Sequence, residues 1–420
     1  MKKEVVITGL GVLSPIGISQ EEYWNSLLEG KSGVRPIESI KTTLPKRLGA
    51  EVPEFQPKDY VKPKKNIKVM SRDIQLGFVA VAHACANAGL ITEGDGKNVD
   101  PERFGVVFGS DLIGLDLGEL VDAFHAGVLE GRYDFNTWGD ASTGKILPLW
   151  MLKYLPNMPA CHIGISVDAR GPNNTPTLER GSALAAMIEA ASVIARGDAD
   201  VMICGSCGNR ISPTIYAHAA SYHVAPDHCD PDRVPRPYDA ERNGTIIGEG
   251  AGAFILESEE FAKARGAKPL ARLCGSARVT VPGVRWGTES EAVARAAQTA
   301  LADASLTVSD LDHVNADGLG TVEDDAAEAV GLRKALGDLP VFTGKGHFGN
   351  LGSGSGSVEL VASLLAMQKG QLPAVRNCDR IADDCPIQVN QEVRDVTRSH
   401  FMKLNSTNMG RSFAVVLEKY

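Results

Sequence analysis

The sequence predicts an α/β protein built from two similar halves, and three observations support this fold class. Strand patterns alternate with amphipathic helix patterns along all 420 residues, which is typical of largely parallel sheets covered by helices. The chain has 44 glycines and is 43% hydrophobic, as expected of a large core with tight turns. An Ala-rich helix, a short acidic loop and a strand ending in glycine occur twice, which indicates an internal duplication.

The repeated passages have recognisable helix starts. In the first passage, Ser71 is a plausible N-cap of a helix that leads to the strand FGVVFGSD (104–111). In the second, Thr288 and Glu291 have the spacing of a capping box, and the strand DHVNADGLG (312–320) follows the helix. These segments predict an N-terminal half over residues 1–258 and a C-terminal half over residues 259–420.

Composition excludes several classes of protein. The formal net charge of −9 argues against a general nucleic-acid or anionic-membrane binder. No run of 18 apolar residues predicts a membrane span, and the N-terminal segment does not resemble a signal peptide. Eight cysteines are spread along the chain, which favours a reducing compartment over a disulfide scaffold. We therefore expect a cytoplasmic protein with no nucleic-acid or membrane partner.

Three motifs have the residue types of a metal or nucleotide site, but a structural role is favoured for each. Cys204 and Cys207 have redox or zinc spacing, yet they end an apolar strand with no second pair nearby. A second group lies in one polar loop: His223, His228, Cys229 and Asp230. The glycines of 341–370 lack phosphate-loop spacing and suit close packing of a helix on a sheet. No metal or cofactor is expected.

The stretch GPNNTPTLERGSALAAM (171–187) has the pattern of a sharp turn followed by a helix. Such a turn presents one side chain at the positive start of the helix, where a nucleophile would be activated. The residue at this corner is Arg180, which cannot serve as a nucleophile.

Several ordered motifs resemble the β-ketoacyl-acyl-carrier-protein synthases of the thiolase superfamily. The resemblance is strongest to the elongating ketosynthases and the related polyketide chain-length factors. It implies a thiolase fold with five αβαβα layers, two duplicated halves and a dimer. The motifs are VVITGLGVLSPIG, NMPACHIGI, ARGPNN, GDADVMICG, RPYDAERNGTIIGEGAG, FAKARGAK, VNADG and GNLGSGSGSVE.

The resemblance implies a catalytic cysteine and two histidines, and this chain differs at all three positions. Arg180 stands at the cysteine, Asp317 at the first histidine and Asn350 at the second. Only the supporting lysine, Lys345, is retained. A protein with these residues would therefore not catalyse the family's condensation reaction. Whether it has another activity is left open.

The surroundings of the former nucleophile also differ from the family pattern. The gating loop near the C-terminus is replaced by NMGRSF (408–413), with Met409 and Arg411 at its key places. His347 is a candidate stray base, and Glu179 with Asp317 could provide a new acid–base pair.

A buried arginine needs a charged partner, because desolvating an unpaired charge costs several kcal/mol. The resemblance places Asp317 opposite Arg180. We therefore expect an ion pair between them, with Asn350 or Glu179 accepting the remaining donors. The alternative is that Arg180 turns outward and Asp317 is solvated.

A lysine run marks a candidate docking surface. Lys62, Lys64, Lys65 and Lys68 lie in the segment KDYVKPKKNIKVMSR (58–72), which contains a single acidic residue. The resemblance places this segment beside the mouth of the acyl tunnel, where an acidic acyl carrier protein would dock. A flexible, solvated charge run is the alternative.

Three functions are compatible with these residues. The leading one is a non-condensing, chain-length-factor-like subunit of fatty-acid or polyketide biosynthesis, as a homodimer or as a heterodimer with an active ketosynthase. The second is an enzyme with altered chemistry on acyl-carrier thioesters, such as a decarboxylase or hydrolase. The third is a carrier-binding scaffold.

Overall fold

The computed structural model describes residues 3–40, 47–92, 94, 96–217, 223–282 and 287–420. The strands within these ranges are β1 Val5–Leu13, β2 Val34–Pro36, β3 Leu48–Ala50, β4 Phe104–Gly109, β5 Val128–Leu129, β6 Arg132–Tyr133, β7 Asn173–Asn174, β8 Val201–Asn209, β9 Ile247–Ser258, β10 Ala271–Thr280, β11 Leu311–Asn315, β12 Val341–Phe342, β13 Gln371–Leu372, β14 Arg394–Asp395, β15 His400–Ser406 and β16 Arg411–Lys419. The α-helices are α1 Gln20–Leu28, α2 Arg72–Ala88, α3 Val121–Ala126, α4 Phe135–Ser142, α5 Met158–Ser166, α6 Ser182–Arg196, α7 Pro213–Ala217, α8 Glu259–Ala264, α9 Ser290–Ala304, α10 Val322–Leu336, α11 Lys345–Phe348 and α12 Ser355–Lys369.

The strand topology confirms the internal duplication. The main sheet has the order β12-β11-β15-β16-β10-β1-β9-β8-β4-β7. In the N-terminal half, β4 pairs parallel with β7 and β8, while β9 pairs antiparallel with β8 and β1. In the C-terminal half, β11 pairs parallel with β12 and β15, while β16 pairs antiparallel with β15 and β10. Both halves therefore have the same strand order and the same directions, and β1 joins them through β10.

The helices complete five layers. Helices α2 and α5 pack on the N-terminal strands, and α9, with α10 against it, packs on the C-terminal strands. Helices α6 and α12 contact strands of both halves and form the middle layer. This αβαβα arrangement agrees with the fold class predicted from the sequence. The boundary at 258/259 falls between β9 and α8 and stays a prediction, since both halves contribute to one continuous sheet.

The same close contact between a strand glycine and a helix occurs in both halves. Each first strand has a bulge followed by a glycine, at Gly9 in β1 and at Gly275 in β10. A Cβ at Gly9 would lie 2.3 Å from the Ala84 carbonyl oxygen of α2. A Cβ at Gly275 would lie 2.4 Å from the Ala300 carbonyl oxygen of α9. Only glycine lets α2 and α9 approach these strands so closely.

One of the two predicted helix starts is correct. The Ser71 hydroxyl accepts a hydrogen bond from the Ile74 amide and caps α2 as predicted. The capping box at Thr288 and Glu291 is wrong, because Glu289 is the N-cap and its side chain makes no capping hydrogen bond. The Thr288 amide instead donates to the carboxylate of Asp324, so a contact from α10 holds the residue before the cap.

The motifs assigned structural roles have positions that agree with those roles. Cys204 and Cys207 are fully buried in β8 and belong to different hydrophobic clusters, so they face opposite sides of the sheet. The 341–370 segment forms β12, α11 and α12, and a Cβ at Gly354 would lie 2.3 Å from the Gly250 carbonyl oxygen. Among the described residues, no helix is both long and apolar enough to cross a membrane.

Candidate functional site

The turn before α6 places Arg180 inside the protein. Residues Glu179–Gly181 form one 3₁₀ turn, and Glu179 adopts the left-handed conformation with φ of 48°. The Ser182 hydroxyl accepts from the Leu178 amide at 2.8 Å and donates to the Ser110 carbonyl at 3.0 Å. These bonds fix the turn, so Arg180 lies only 2% exposed at the start of α6.

Arg180 and Asp317 form the ion pair expected from the sequence. The Arg180 Nε donates to Asp317 Oδ2 at 3.1 Å, and the two side chains are only 3% and 4% exposed. Both terminal nitrogens of Arg180 donate to the side-chain oxygen of Asn408 at 3.3 Å. The outward-facing alternative is therefore wrong. The guanidinium stays charged, since burial would lower its pKa but the Asp317 and Glu179 charges raise it above its ordinary value.

The Asp317 carboxylate accepts hydrogen bonds from three further donors around it. Lys345 Nζ donates to Oδ1 at 2.6 Å, and the Asn405 amide group donates to the same oxygen at 2.9 Å. The Ser406 backbone amide donates to Oδ2 at 3.1 Å. Burial alone would raise the pKa of Asp317, but the Lys345 and Arg180 charges outweigh it and hold the pKa well below its usual range. This carboxylate is therefore ionised and has no free lone pair for substrate chemistry.

Two further charges complete what we call the buried ion cluster: Arg180, Asp317, Lys345, Glu359 and Lys403. Lys345 also donates to Glu359, and Lys403 donates to the other Glu359 oxygen at 2.5 Å. The Lys345, Glu359 and Lys403 side chains have no solvent exposure. Burial lowers the pKa of Lys403, whereas the Asp317 and Glu359 charges outweigh burial and raise the pKa of Lys345. The cluster links α6, α11, α12, β15 and the loop after β11.

The loop that carries Asp317 is held from behind by α10. The Glu328 carboxylate accepts from the backbone amides of Asp317 and Gly318, each at 2.8 Å, and from the Tyr238 hydroxyl at 2.6 Å. Burial and the negative charge of Asp317 raise the pKa of Glu328. These bonds fix the backbone at Asp317, so its carboxylate faces Arg180.

Neither Asn350 nor Glu179 accepts the remaining donors of Arg180, and this part of the expectation is wrong. The Asn350 side-chain oxygen accepts from the Gly352 amide at 3.0 Å. The Glu179 carboxylate accepts instead from the Asn408 backbone amide at 3.4 Å. Asn408 therefore supplies the missing acceptor, because the loop between β15 and β16 brings it closer to Arg180 than Asn350.

The segment NMGRSF (408–413) contains the tight turn that joins β15 to β16. Met409 is 59% exposed, and Gly410 adopts φ of 63°. The Arg411 carbonyl accepts from the Thr407 amide at 2.8 Å, which closes the turn. This candidate gating segment therefore has an exposed methionine and a closed backbone turn.

His347 is not placed as a base for this site. Its Nδ1 donates to the Lys31 carbonyl oxygen at 2.9 Å, and the ring is fully buried. Burial lowers the pKa of His347 to about 4, with Arg376 adding to the effect, so the ring is neutral near pH 7. His347 therefore makes a structural contact with the loop after α1, and it does not take part in acid–base chemistry at Arg180.

A cavity of about 390 Å³ adjoins the turn on the side of Glu179. Its aliphatic wall includes Leu112 and Ile113, and its polar wall includes Asp73, Asp111 and Glu179. Burial raises the pKa of Asp73 to about 7. Arg180 and Asp317 do not line this cavity, so the open space lies beside the ion cluster and not within it.

The lysine run lies directly before α2 in the chain. The side chains of Lys62, Lys64, Lys65 and Lys68 are exposed, on and beside two short 3₁₀ turns at 57–59 and 64–69. The run leads into α2, whose Arg72 and Asp73 line a cleft of about 860 Å³. This cleft shares Asp73, Gly114 and Asn209 with the smaller cavity, so the two spaces are adjacent.

Comparisons with known proteins agree with the resemblance found in the sequence. The model of the β-ketoacyl synthase N-terminal domain matches residues 2–262, and the C-terminal domain model matches 283–379. The chain belongs to the β-ketoacyl synthase family and has its thiolase-like fold. It is 33% identical to 3-oxoacyl-[acyl-carrier-protein] synthase 2 of Vibrio harveyi, covering 90% of this chain and 89% of that protein. It is 31% identical to a polyketide β-ketoacyl synthase of Streptomyces halstedii, covering 99% and 98%.

Solved structures give the same family. A β-ketoacyl synthase from Burkholderia phymatum STM815 matches with a TM-score of 0.87 and 26% identity, over 100% of both chains. The ishigamide ketosynthase/chain length factor matches with a TM-score of 0.86 and 24% identity, again over 100% of both chains. The chain is therefore a homologue of ketosynthases of fatty-acid and polyketide synthesis.

Two members of the ion cluster, Glu359 and Lys403, were missed in the sequence, and so was Asn408, the second acceptor of Arg180. Lys403 could have been found, because a lysine within the apolar strand HFMKLNS requires a buried acidic partner. Asn408 gave no such signal, since a polar residue in a turn is ordinary.

Removing the Asp317 charge should strongly destabilise the protein. We expect Asp317→Asn to lower the free energy of unfolding by about 3–5 kcal/mol, because Arg180 and Lys345 would lose a buried counter-charge. Urea unfolding measures this change. The matched control is Asp198→Asn at an exposed pair with Arg196, expected to cost less than about 1 kcal/mol. Equal stability of the two variants would contradict the buried ion pair.

His347 should make the protein sensitive to acid. Its pKa is about 4 in the folded chain, against an ordinary value of 6.5. As pH falls from 6.5 to 4, the unfolded chain binds a proton at this residue that the folded chain does not, so stability decreases by about 3 kcal/mol. We expect His347→Gln to flatten the pH dependence of urea unfolding in this window. Replacing the exposed His125 by glutamine should leave the dependence unchanged, and an unchanged slope in His347→Gln would be the contrary result.

Proposed function

We propose that this chain is a non-condensing member of the β-ketoacyl synthase family that acts beside an active ketosynthase, as a chain-length factor does. The buried Arg180–Asp317 ion pair carries this proposal. It occupies the position where the family resemblance expects the nucleophile and the first histidine. A condensing enzyme needs a thiolate there to accept the acyl chain.

Arg180 cannot replace that thiolate. A guanidinium stays protonated and offers only hydrogen-bond donors, so it cannot attack a thioester. Its Nε and both terminal nitrogens are already bonded to Asp317 and Asn408. The start of α6, which would favour a thiolate, instead holds a cation neutralised by Asp317.

The residues at the two histidine positions also lack the required chemistry. Ionised Asp317 cannot donate a hydrogen bond to a developing enolate and would repel its negative charge. The Asn350 side-chain oxygen is bonded to the Gly352 amide. We infer that neither residue assists decarboxylation of a malonyl group or stabilises its enolate.

Exposed apolar side chains concentrated in one segment support association with a second subunit. Twelve of the nineteen exposed large hydrophobic side chains in the described residues lie between 112 and 165, among them Leu112, Phe135 and Ile165 at 77–83% exposure. Such a concentration is typical of an interaction surface. We propose that it contacts an active ketosynthase in a heterodimer, and a homodimer is the other outcome of the test.

The exposed lysines support docking of an acidic carrier. Lys62, Lys64, Lys65 and Lys68 are exposed and precede α2, whose first residues line the large cleft. None of the four forms an ion pair within the described residues, so their charges are available to acidic groups. We propose that they bind acyl carrier protein beside the cleft.

One observation favours the second candidate, altered chemistry on acyl-carrier thioesters. The cavity beside the turn contains Glu179, Asp111 and Asp73, and burial raises the pKa of Asp111 and Asp73. A carboxyl group with a pKa near 7 is suited to proton transfer. The Glu179–Asp317 pair considered from the sequence is not suited, since Asp317 is saturated by its own donors. The third candidate, a scaffold, would bind the carrier protein and leave the products of a partner enzyme unchanged.

The purified chain should not become acylated. We expect no mass increase after incubation with malonyl- and acyl-carrier proteins, because no nucleophile is available at Arg180. Co-expression with candidate ketosynthases should give a complex whose partner subunit alone becomes acylated. Intact-protein mass spectrometry measures both, with an active ketosynthase as positive control. Acylation of this chain would contradict the proposal, and thioester turnover by the chain alone, lost in Glu179→Gln, would establish the second candidate.

Charge reversal in the lysine run should weaken carrier binding. We expect Lys64→Glu with Lys65→Glu to reduce affinity for holo-acyl carrier protein at least tenfold at low salt, because two attractions become repulsions. The charge-matched control reverses Lys268 and Lys369, two exposed lysines outside the run. Calorimetric titration measures the affinities. Equal affinity of both double variants would reject this docking surface.

A further inference from the structure

Three side chains with metal-ligand chemistry converge on neighbouring strands of the C-terminal half. Cys274 lies on β10, His400 on β15 and Glu418 on β16. One ligand atom of each lies within 4.8 Å of the other two, and this is the only such group of three among the described residues. We propose that Cys274, His400 and Glu418 bind one Zn²⁺ ion, with water as the fourth ligand. Thiolate, imidazole and carboxylate are the ligand types that zinc prefers.

The register of the three strands explains why the side chains meet. His400 lies directly opposite Glu418 in the β15–β16 pair. Cys274 is the extra residue of the bulge between Leu273 and Gly275, so it is unpaired and can lean toward β16. A tetrahedral site needs ligand atoms roughly 3–4 Å apart, given metal–ligand distances of about 2.0–2.3 Å. Small side-chain rotations are enough to bring the three ligand atoms to this spacing.

Neighbouring residues orient two of the ligands. The Nδ1 of His400 lies 3.1 Å from the Ser399 hydroxyl, which leaves Nε2 facing Glu418 Oε1 at 3.8 Å. The other Glu418 oxygen accepts from Arg272 at 3.3 Å. Contacts of this kind hold ligands in position in known metal sites, because the atom not bound to the metal is hydrogen-bonded.

The site has solvent access, and its carboxylate is only partly neutralised. Arg272 pairs with Glu418 but is shared with the carboxylates of Glu4 and Glu259. Cys274 and Glu418 line a cleft of about 710 Å³ that gives solvent access. Zinc binding would replace the Cys274 thiol proton, which is released to solvent, by a zinc–sulfur bond.

The duplicated half provides an internal comparison. The strand pairing places Thr8, Val201 and Glu257 at the positions that correspond to Cys274, His400 and Glu418. There the Thr8 hydroxyl donates directly to Glu257, and Arg265 pairs with the same carboxylate. Only the glutamate is common to both halves, so the two ligands best suited to zinc occur in the C-terminal half alone. This inference is independent of the proposed function.

Cobalt substitution tests the site directly. The metal-free full-length chain is titrated with Co²⁺ and then with Zn²⁺, while absorption is recorded. We expect the near-ultraviolet charge-transfer band of a cobalt–thiolate bond and the visible bands of four-coordinate cobalt, saturating at one ion per chain and lost on zinc addition. Zinc should also raise the melting temperature by several degrees, since it binds the folded chain only.

Substitutions of single residues distinguish metal binding at this site from metal binding elsewhere on the chain. Cys274→Ser should abolish the thiolate band, and His400→Gln should lower the cobalt affinity at least tenfold. Cys161→Ser, which removes another half-buried thiol, should leave both unchanged. Circular dichroism of each metal-free variant checks that it remains folded. Absence of the band in the folded parent chain, or its persistence in Cys274→Ser, would overturn the proposal.

Discussion

The arrangement of this site depends on one carboxylate, Asp317, whose hydrogen-bond acceptor positions are all occupied. Asp317 accepts hydrogen bonds from Arg180, Lys345, Asn405 and the Ser406 amide, in a region without solvent. A buried charge is tolerated only when its partners are present and well placed, because water can no longer stabilise it. Each neighbour of Asp317 is therefore constrained by the others, and the space around this carboxylate is filled with protein.

The duplicated architecture explains how these charges meet. The middle-layer helices α6 and α12 contact strands of both halves, and their first turns lie near the loops after β11 and β15. Arg180 belongs to the N-terminal half, whereas Asp317, Lys345, Glu359 and Lys403 belong to the C-terminal half. The ion cluster is thus a contact between the halves, and its charges stabilise their relative position.

Alternating strands and helices and the Ser71 cap are local signals, and they predicted an α/β fold. The five layers and the pairing of Arg180 with Asp317 were expected because the ordered motifs resemble a known family, and that resemblance places the two residues opposite each other. Asn408 was missed in favour of Asn350, because the geometry of the loop between β15 and β16 depends on tertiary contacts. The capping box at Thr288 failed for the same reason, since Asp324 binds its amide from another helix. Cys274, His400 and Glu418 are far apart in the sequence and form no motif, and only the strand register brings them together.

The mutual neutralisation of the ion cluster has an evolutionary consequence. Replacing either Arg180 or Asp317 alone by an uncharged residue would leave a buried charge uncompensated, at a cost of about 3–5 kcal/mol. Since a whole domain is typically stable by about 5–15 kcal/mol, each single replacement would bring the protein closer to unfolding. Selection for a stable fold therefore keeps Arg180 and Asp317 together, independently of any selection for activity.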